Sequence, residues 1–133
     1  PLLAAGPGIP EGETSDALVE TIDLNPTICE LAGLHGQPNI DAESLCDTLV
    51  EPSESHREET VCVIRSWQCV RTERYKFIHN FNAANELYDL EEDPHEQRNI
   101  YERMEEENPE FVKDLQRRIR WRNYESPYGQ PRS

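Results

Sequence analysis

The sequence predicts an α+β fold: a four-stranded antiparallel sheet with a C-terminal helix packed across it, preceded by a strand–helix unit. Three observations carry that reading. Val61–Ile64, Trp67–Val70 and Tyr75–Ile78 are short runs rich in β-branched and aromatic residues joined by tight turns, and Leu87–Leu90 gives a fourth, ended by the turn at Asp93-Pro94. Such spacing suits an antiparallel meander with one covered face. Asn108-Pro109-Glu110 then supplies a cap, a proline at the first helical position and an acid beside it. The third observation is Leu2-Leu3-Ala4-Ala5, an apolar run stopped by Gly6-Pro7-Gly8, as a buried strand ended by a turn would be.

Taken in order, the strand at 2–5 leads into a polar loop around Glu11-Gly12-Glu13 and an extended stretch over 17–22. Asp23 can cap a helix that carries Pro26 in its first turn and ends at Gly33. On that helix Leu24, Ile28, Leu31 and Ala32 share one face, which suits packing on a sheet. Residues 34–59 read as a connecting loop with Ser44-Leu45 and Leu49-Val50 as anchors, because Gly, Pro, Asn and acids dominate it. Residues 60–124 hold the sheet and its helix, and 125–133 form a frayed tail. A two-residue turn at Arg65-Ser66 fixes the first hairpin. Ile64 then faces Trp67 and Cys62 faces Cys69 on one side, while Val63–Gln68 and Val61–Val70 share the other. The helix over 109–122 lays Phe111, Val112, Leu115 and Ile119 on the sheet.

The 133 residues make one domain's worth of chain. The apolar share is 35%, against about 45–50% (glycine included) for a typical globular protein, so the core is lean. No run of about 18 apolar residues exists, which excludes a transmembrane helix from the sequence. No basic and apolar leader opens it, so the expected location leans to the cytoplasm. The chain begins in what reads as mid-strand, which points to a fragment or a processed chain. The formal net charge of −14 repels nucleic acid and anionic membranes at long range, so neither is an expected partner. Six basic residues crowd Lys113–Ser133 against two acids. An RNA-binding arm is one reading of them; cations complementing a helix C-terminus is the favoured one.

Cys29, Cys46, Cys62 and Cys69 include no Cys-x-x-Cys pair, and the four histidines are scattered one per segment, so a zinc site is not expected. Across the proposed hairpin, Cys62 and Cys69 are either two small thiols, the commoner case, or a bridge in an oxidising compartment.

Several stretches carry a resemblance. Leu87-Tyr88-Asp89-Leu90-Glu91-Glu92-Asp93-Pro94-His95-Glu96-Gln97-Arg98-Asn99-Ile100 resembles the LYDLxxDPxExxNL stretch near the C-terminus of type I, formylglycine-dependent sulfatases of the alkaline-phosphatase-like superfamily. Val70-Arg71-Thr72-Glu73-Arg74-Tyr75-Lys76-Phe77-Ile78 is similar to that family's VRTxxYKYI strand pair. Pro1-Leu2-Leu3 with Gly6-Pro7-Gly8 resembles its VPLIIxGPG strand, and Asp23-Leu24-Asn25-Pro26-Thr27 with Leu31-Ala32-Gly33 its DLxPTxxxLAG helix. The likeness covers residues 1–124 and departs at Asp41-Ala42-Glu43-Ser44-Leu45, where the family has Gly two residues before Ser-Leu. It implies that residues 1–33 end the larger α/β catalytic domain and that 60–124 form a small C-terminal subdomain. Physical roles for the matched residues are structural: Asp89 and Asp93 can accept backbone N–H bonds in turns, and Tyr75 and Tyr88 offer apolar faces with reachable hydroxyls.

The family's chemistry implies a formylglycine made from a [CS]-x-[PA]-x-R motif and a calcium ion held by Asp-Asp and Asp-Asn pairs. None of these motifs occurs in the sequence. No catalytic residue or metal ligand is therefore assigned here, calcium is expected in the parent enzyme only, and the chain alone is expected to be inactive. Its expected partners are the upstream catalytic domain and, for the parent, a sulfated small molecule or glycan. Two candidate substrate contacts remain. In sulfatases the loop after the YKYI-like strand can reach the pocket; here it opens with His79 and Asn80, which could hydrogen-bond a sugar or sulfate oxygen. Arg65 suits a sulfate and Trp67 a sugar ring. For both pairs a purely structural role, a polar strand end and a hairpin tip, is the competing reading. The alternatives for the whole are the tail of a phosphonate monoester or phosphodiester hydrolase of the same superfamily, and a non-catalytic interaction module.

Only Lys76 and Lys113 are lysines in this acidic chain, a balance that resembles salt-adapted proteins. Salt near 1 M shortens the screening length to roughly 3 Å and relieves self-repulsion. The melting temperature should therefore rise between low and molar potassium chloride; an unchanged value removes salt adaptation.

Overall fold

A computed structural model of the chain describes residues 2–35, 41–52 and 55–124. The tail expected at 125–133 lies outside them. The chain divides into two compact units, Pro1–Glu58 and Glu59–Ser133. Among the described residues no helix is long and apolar enough to cross a membrane.

In the first unit a 3-10 turn, Thr21–Asp23, runs into helix α1, Leu24–Leu31. The turn replaces the end of the extended stretch expected over 17–22. The glycine stop is as expected: Gly33 adopts a left-handed φ of 69°, and the Leu34 N–H returns to the Cys29 carbonyl at 2.8 Å. Helix α2, Cys46–Val50, lies within the stretch read as a connecting loop. Residues 2–5 are not a strand. A strand exists only when a neighbour takes its backbone bonds, and no other described segment of this unit is a strand. The apolar face of α1 is likewise open, with Ile28 and Leu31 about two-thirds exposed.

Polar residues organise this unit instead. Asp23, fully buried, accepts hydrogen bonds from the backbone N–H of Glu20 at 2.8 Å and of Glu43 at 2.9 Å. Arg57 grips the same carboxylate through Nε (3.0 Å) and Nη2, and His56 Nε2 lies 3.2 Å from Oδ2. Arg57 also donates to the Asp41 carbonyl at 2.8 Å. Thr27 donates to the Asp23 carbonyl and accepts from the N–H of Leu45, which joins α1 to the start of α2. Burial by itself would raise the Asp23 pKa. The Arg57 bond and the two backbone N–H groups overcome it and hold the carboxyl down at about 2.

The second unit is the expected meander. Strands β1 (Glu59–Val63), β2 (Trp67–Thr72), β3 (Tyr75–Asn80) and β4 (Glu86–Asp89) lie in the order β1-β2-β3-β4, all antiparallel. The hairpin register is the expected one: Cys62 opposes Cys69, Val61 opposes Val70 and Val63 opposes Gln68. The Ile64 N–H reaches the Trp67 carbonyl at 3.0 Å and closes the turn. One row across the sheet, Val61–Val70–Phe77–Leu87, faces the core. Helix α4, Pro109–Tyr124, covers that row with Val112, Leu115 and Ile119, all buried, and Phe111 meets Tyr75 edge-on at 4.8 Å.

Helix α3, Tyr101–Glu107, was not expected, because five of its seven residues are charged and only Tyr101 and Met104 turn inward. Asn99 positions it: its Oδ1 accepts the N–H of Leu87 at 3.0 Å and of Tyr101 at 2.9 Å, and its Nδ2 donates to the Asn85 carbonyl. The expected turn roles hold. Asp89 accepts the N–H of Glu91 and Glu92 and pairs with Arg74, and Asp93 accepts the N–H of Arg98.

Two outcomes follow from this packing. Leu115→Ala should lower the unfolding free energy by about 2–5 kcal/mol in a urea titration, since the side chain is buried against sheet residues that cannot collapse fully. Asp23 titrates below its unfolded value of 3.8, so its contribution is complete above that pH and is lost as pH falls through about 2. Stability measured with denaturant should therefore drop between about pH 4 and pH 2. Asp23→Asn should be less stable at neutral pH and show a shallower slope.

Candidate substrate-contact site

All four residues singled out from the sequence lie at one end of the sheet. The β1–β2 turn carries Arg65, and Trp67 opens β2; His79 and Asn80 close β3. Trp67 and Asn80 are directly opposite each other across β2 and β3. The turn and the β3–β4 loop are tied by a bond from the Phe81 N–H to the Ser66 carbonyl at 3.1 Å. The strand pleat divides the set, however. Trp67 and Asn80 point to the face opposite α4, whereas His79, one residue away, shares the parity of Phe77 and opposes Gln68. The His79 ring meets Phe81 edge-on at 5.1 Å.

Hydrogen bonds define what each group still offers. Asn85 Oδ1 accepts the Asn80 N–H at 3.1 Å, which identifies that atom as the amide oxygen. His79 Nδ1, 3.0 Å from the same oxygen, must then be the donor, so a neutral His79 keeps its Nε2 lone pair as an acceptor. Asn80 Nδ2 donates to the Ala84 carbonyl at 2.7 Å and to Glu86 Oε1 at 3.0 Å. Both amide hydrogens are spent, and Oδ1 is the atom left for a hydroxyl donor. Glu86 Oε2 in turn accepts the Tyr88 hydroxyl at 2.6 Å; that bond, with burial, pushes the Tyr88 phenol up to about 12. Arg65 is exposed and joins no ion pair among the described residues, so its guanidinium is the group suited to an anion. Trp67 is half-buried and keeps part of its ring accessible.

Asn85 and Glu86 were not singled out from the sequence. The only local hint was the asparagine-rich stretch before β4, which gives no sign of which amide closes onto His79. Among the described residues no group of three or more His, Cys, Asp and Glu side chains is placed to hold a metal ion, and Asp23 commits its oxygens to Arg57, His56 and two backbone N–H groups. No residue of this chain is assigned to the ion.

Residues 1–124 match the family described as N-sulphoglucosamine sulphohydrolase, C-terminal. The chain belongs to that family. Among curated relatives, a delta 4,5-hexuronate-2-O-sulfatase of Bacteroides thetaiotaomicron is 33% identical over 115 residues, covering 75% of this chain and 24% of that protein. A solved structure of BT4656 in complex with its substrate D-glucosamine-2-N,6-O-disulfate superposes with a TM-score of 0.75 at 24% identity, over 88% of this chain and 26% of that one. A phosphonate monoester hydrolase from Silicibacter pomeroyi shares the fold at a TM-score of 0.64 and 21% identity, over 88% of this chain and 26% of that one. The chain spans between 19% and 25% of the length of the curated relatives it matches. The sulfatase C-terminal resemblance of the motifs is thus the family match, and the four-stranded sheet with C-terminal helices is the arrangement it shares with those structures.

Proposed function

We propose that this chain is the C-terminal part of an enzyme that hydrolyses a sulfate ester or sulfamate on a sugar. The observation that carries the proposal is the sulfohydrolase family match over residues 1–124. The sugar preference draws support from the hexuronate-2-O-sulfatase relative and from the disulfated glucosamine bound by BT4656. The nucleophile, a hydrated formylglycine, and the calcium that neutralises the sulfate are assigned to the catalytic portion outside this chain. The open apolar face of α1, with Ile28 and Leu31, is the surface that portion would cover.

Within this reading the second unit is a scaffold that holds contact groups at the rim of the pocket. Arg65 pairs with a sulfate oxygen, and Trp67 lies along the apolar face of a sugar ring. Asn80 Oδ1 accepts from a sugar hydroxyl, because its own hydrogens are spent. His79, on the other face, orders the 81–85 loop through Asn85 and is not needed as a direct contact.

In the enzyme containing both portions, Arg65→Ala and Trp67→Ala should each raise KM for a sulfated glucosamine or hexuronate about tenfold with kcat little changed. Unchanged KM in both variants leaves the hairpin tip a structural turn. Faster turnover of a phosphonate monoester than of any sulfated sugar would overturn the sulfatase assignment.

A further inference from the structure

Cys62 and Cys69 take no part in the contacts above. They are partners across the first hairpin, on the sheet face opposite α4. We propose that they form a reversible cross-strand disulfide when the protein meets a low-molecular-weight disulfide of the glutathione class.

The ladder supports the geometry. The Ile64 N–H to Trp67 carbonyl bond makes those two residues a hydrogen-bonded pair. Pair types alternate along an antiparallel ladder, so Cys62–Cys69, two residues further on, is hydrogen-bonded as well. Such pairs hold their Cα atoms about 5.5 Å apart, inside the 4.4–6.8 Å that disulfides span. Opposed Cβ atoms lie about 4.5–5.5 Å apart, slightly wider than the roughly 3.5–4.5 Å of a relaxed bridge. Closing the bond must draw the strands together, and a strained bridge is easily reduced. The closed loop is also short, so the bridge contributes little as a staple on the unfolded chain.

The two thiols differ in access, which orders the steps. Cys62 is exposed and Cys69 is 8% exposed. Burial holds the Cys69 thiol up at about 11 although Lys76 pulls the other way, so Cys69 is a poor first attacker. The Cys62 thiolate attacks one sulfur of the glutathione disulfide, forms a mixed disulfide and expels one glutathione thiolate. Cys69 then loses its proton to solvent and attacks Cys62 Sγ, expelling the second glutathione thiolate. Two protein thiols are oxidised and one glutathione disulfide is reduced to two thiols. The other cysteines, Cys29 and Cys46, belong to the first unit.

The test equilibrates the full chain in mixtures of reduced and oxidised glutathione, blocks free thiols with N-ethylmaleimide and digests with trypsin. Cleavage after Arg65 separates the two cysteines, so a bridge joins peptide 58–65 to peptide 66–71 until dithiothreitol releases it. The linked pair should dominate in oxidised glutathione and disappear in excess reduced glutathione. Cys69→Ser should leave Cys62 as a persistent glutathione adduct. Cys62→Ser, at an exposed position that leaves folding intact, should leave Cys69 unmodified. A wild-type chain that stops at the Cys62 adduct, or links Cys29 or Cys46 as often as Cys62 to Cys69, overturns the proposal. So does glutathionylation of Cys69 in Cys62→Ser as fast as that of Cys62 in Cys69→Ser.

Discussion

The second unit depends on one row of side chains staying dry. Val70, Phe77 and Leu87 are fully buried beneath Val112, Leu115 and Ile119 of α4, with Val61 at the edge. Side chains alternate across a sheet, so this row fixes the orientation of every other residue in the meander. Sliding any strand by one position would place Cys69 or Ile78 under the helix and expose a valine, phenylalanine or leucine to water. That cost pins the register, and the register decides that Trp67 and Asn80 meet on the far side.

The first unit is held by a different kind of interaction. Its centre is a carboxylate, Asp23, and its neighbours are brought to it from three stretches of chain: Glu20, Glu43 and the His56-Arg57 pair. Five donors on two oxygens repay the desolvation of the charge, which is why the carboxyl stays ionised although fully buried. Removing Arg57 alone would leave an uncompensated buried charge, a costlier change than replacing the whole cluster by apolar residues. A lean core with loops that carry few apolar residues has few other means of fixing their path.

These two devices suit a part whose contribution is placement. Among the described residues no group of three or more His, Cys, Asp and Glu is arranged to hold a metal ion, and the acids Glu20, Asp23 and Glu43 gather on Arg57 instead. What it presents is a hairpin tip with an exposed guanidinium, an indole beside it, and an amide whose donors are already committed to Ala84 and Glu86. Of the three, the Asn80 amide is the one held in place by its own bonds, so it would lose little freedom on meeting a hydroxyl donor.

By itself the sequence determined the features whose signals are local. Two-residue turn spacing and period-two alternation placed Cys62 opposite Cys69, and Asn108-Pro109 with a four-residue apolar stripe placed α4 and its buried face. The same alternation also implies that His79 and Asn80, being adjacent, point to opposite faces, although the family resemblance groups them in the loop after the YKYI-like strand; both lie in β3. Tertiary structure decided what joins distant segments. Asp23 reads as a helix cap until Arg57, 34 residues later, is seen on its carboxylate, and no periodicity links the two. Asn99 reads as a loop residue until its amide is found bridging β4, α3 and the 81–85 loop. The stretch 2–5 has a strand's composition, yet a strand is made by a neighbour's hydrogen bonds and not by composition. Side-chain periodicity reports which face is dry; the partners of a buried polar group are set by distances that only the folded chain defines.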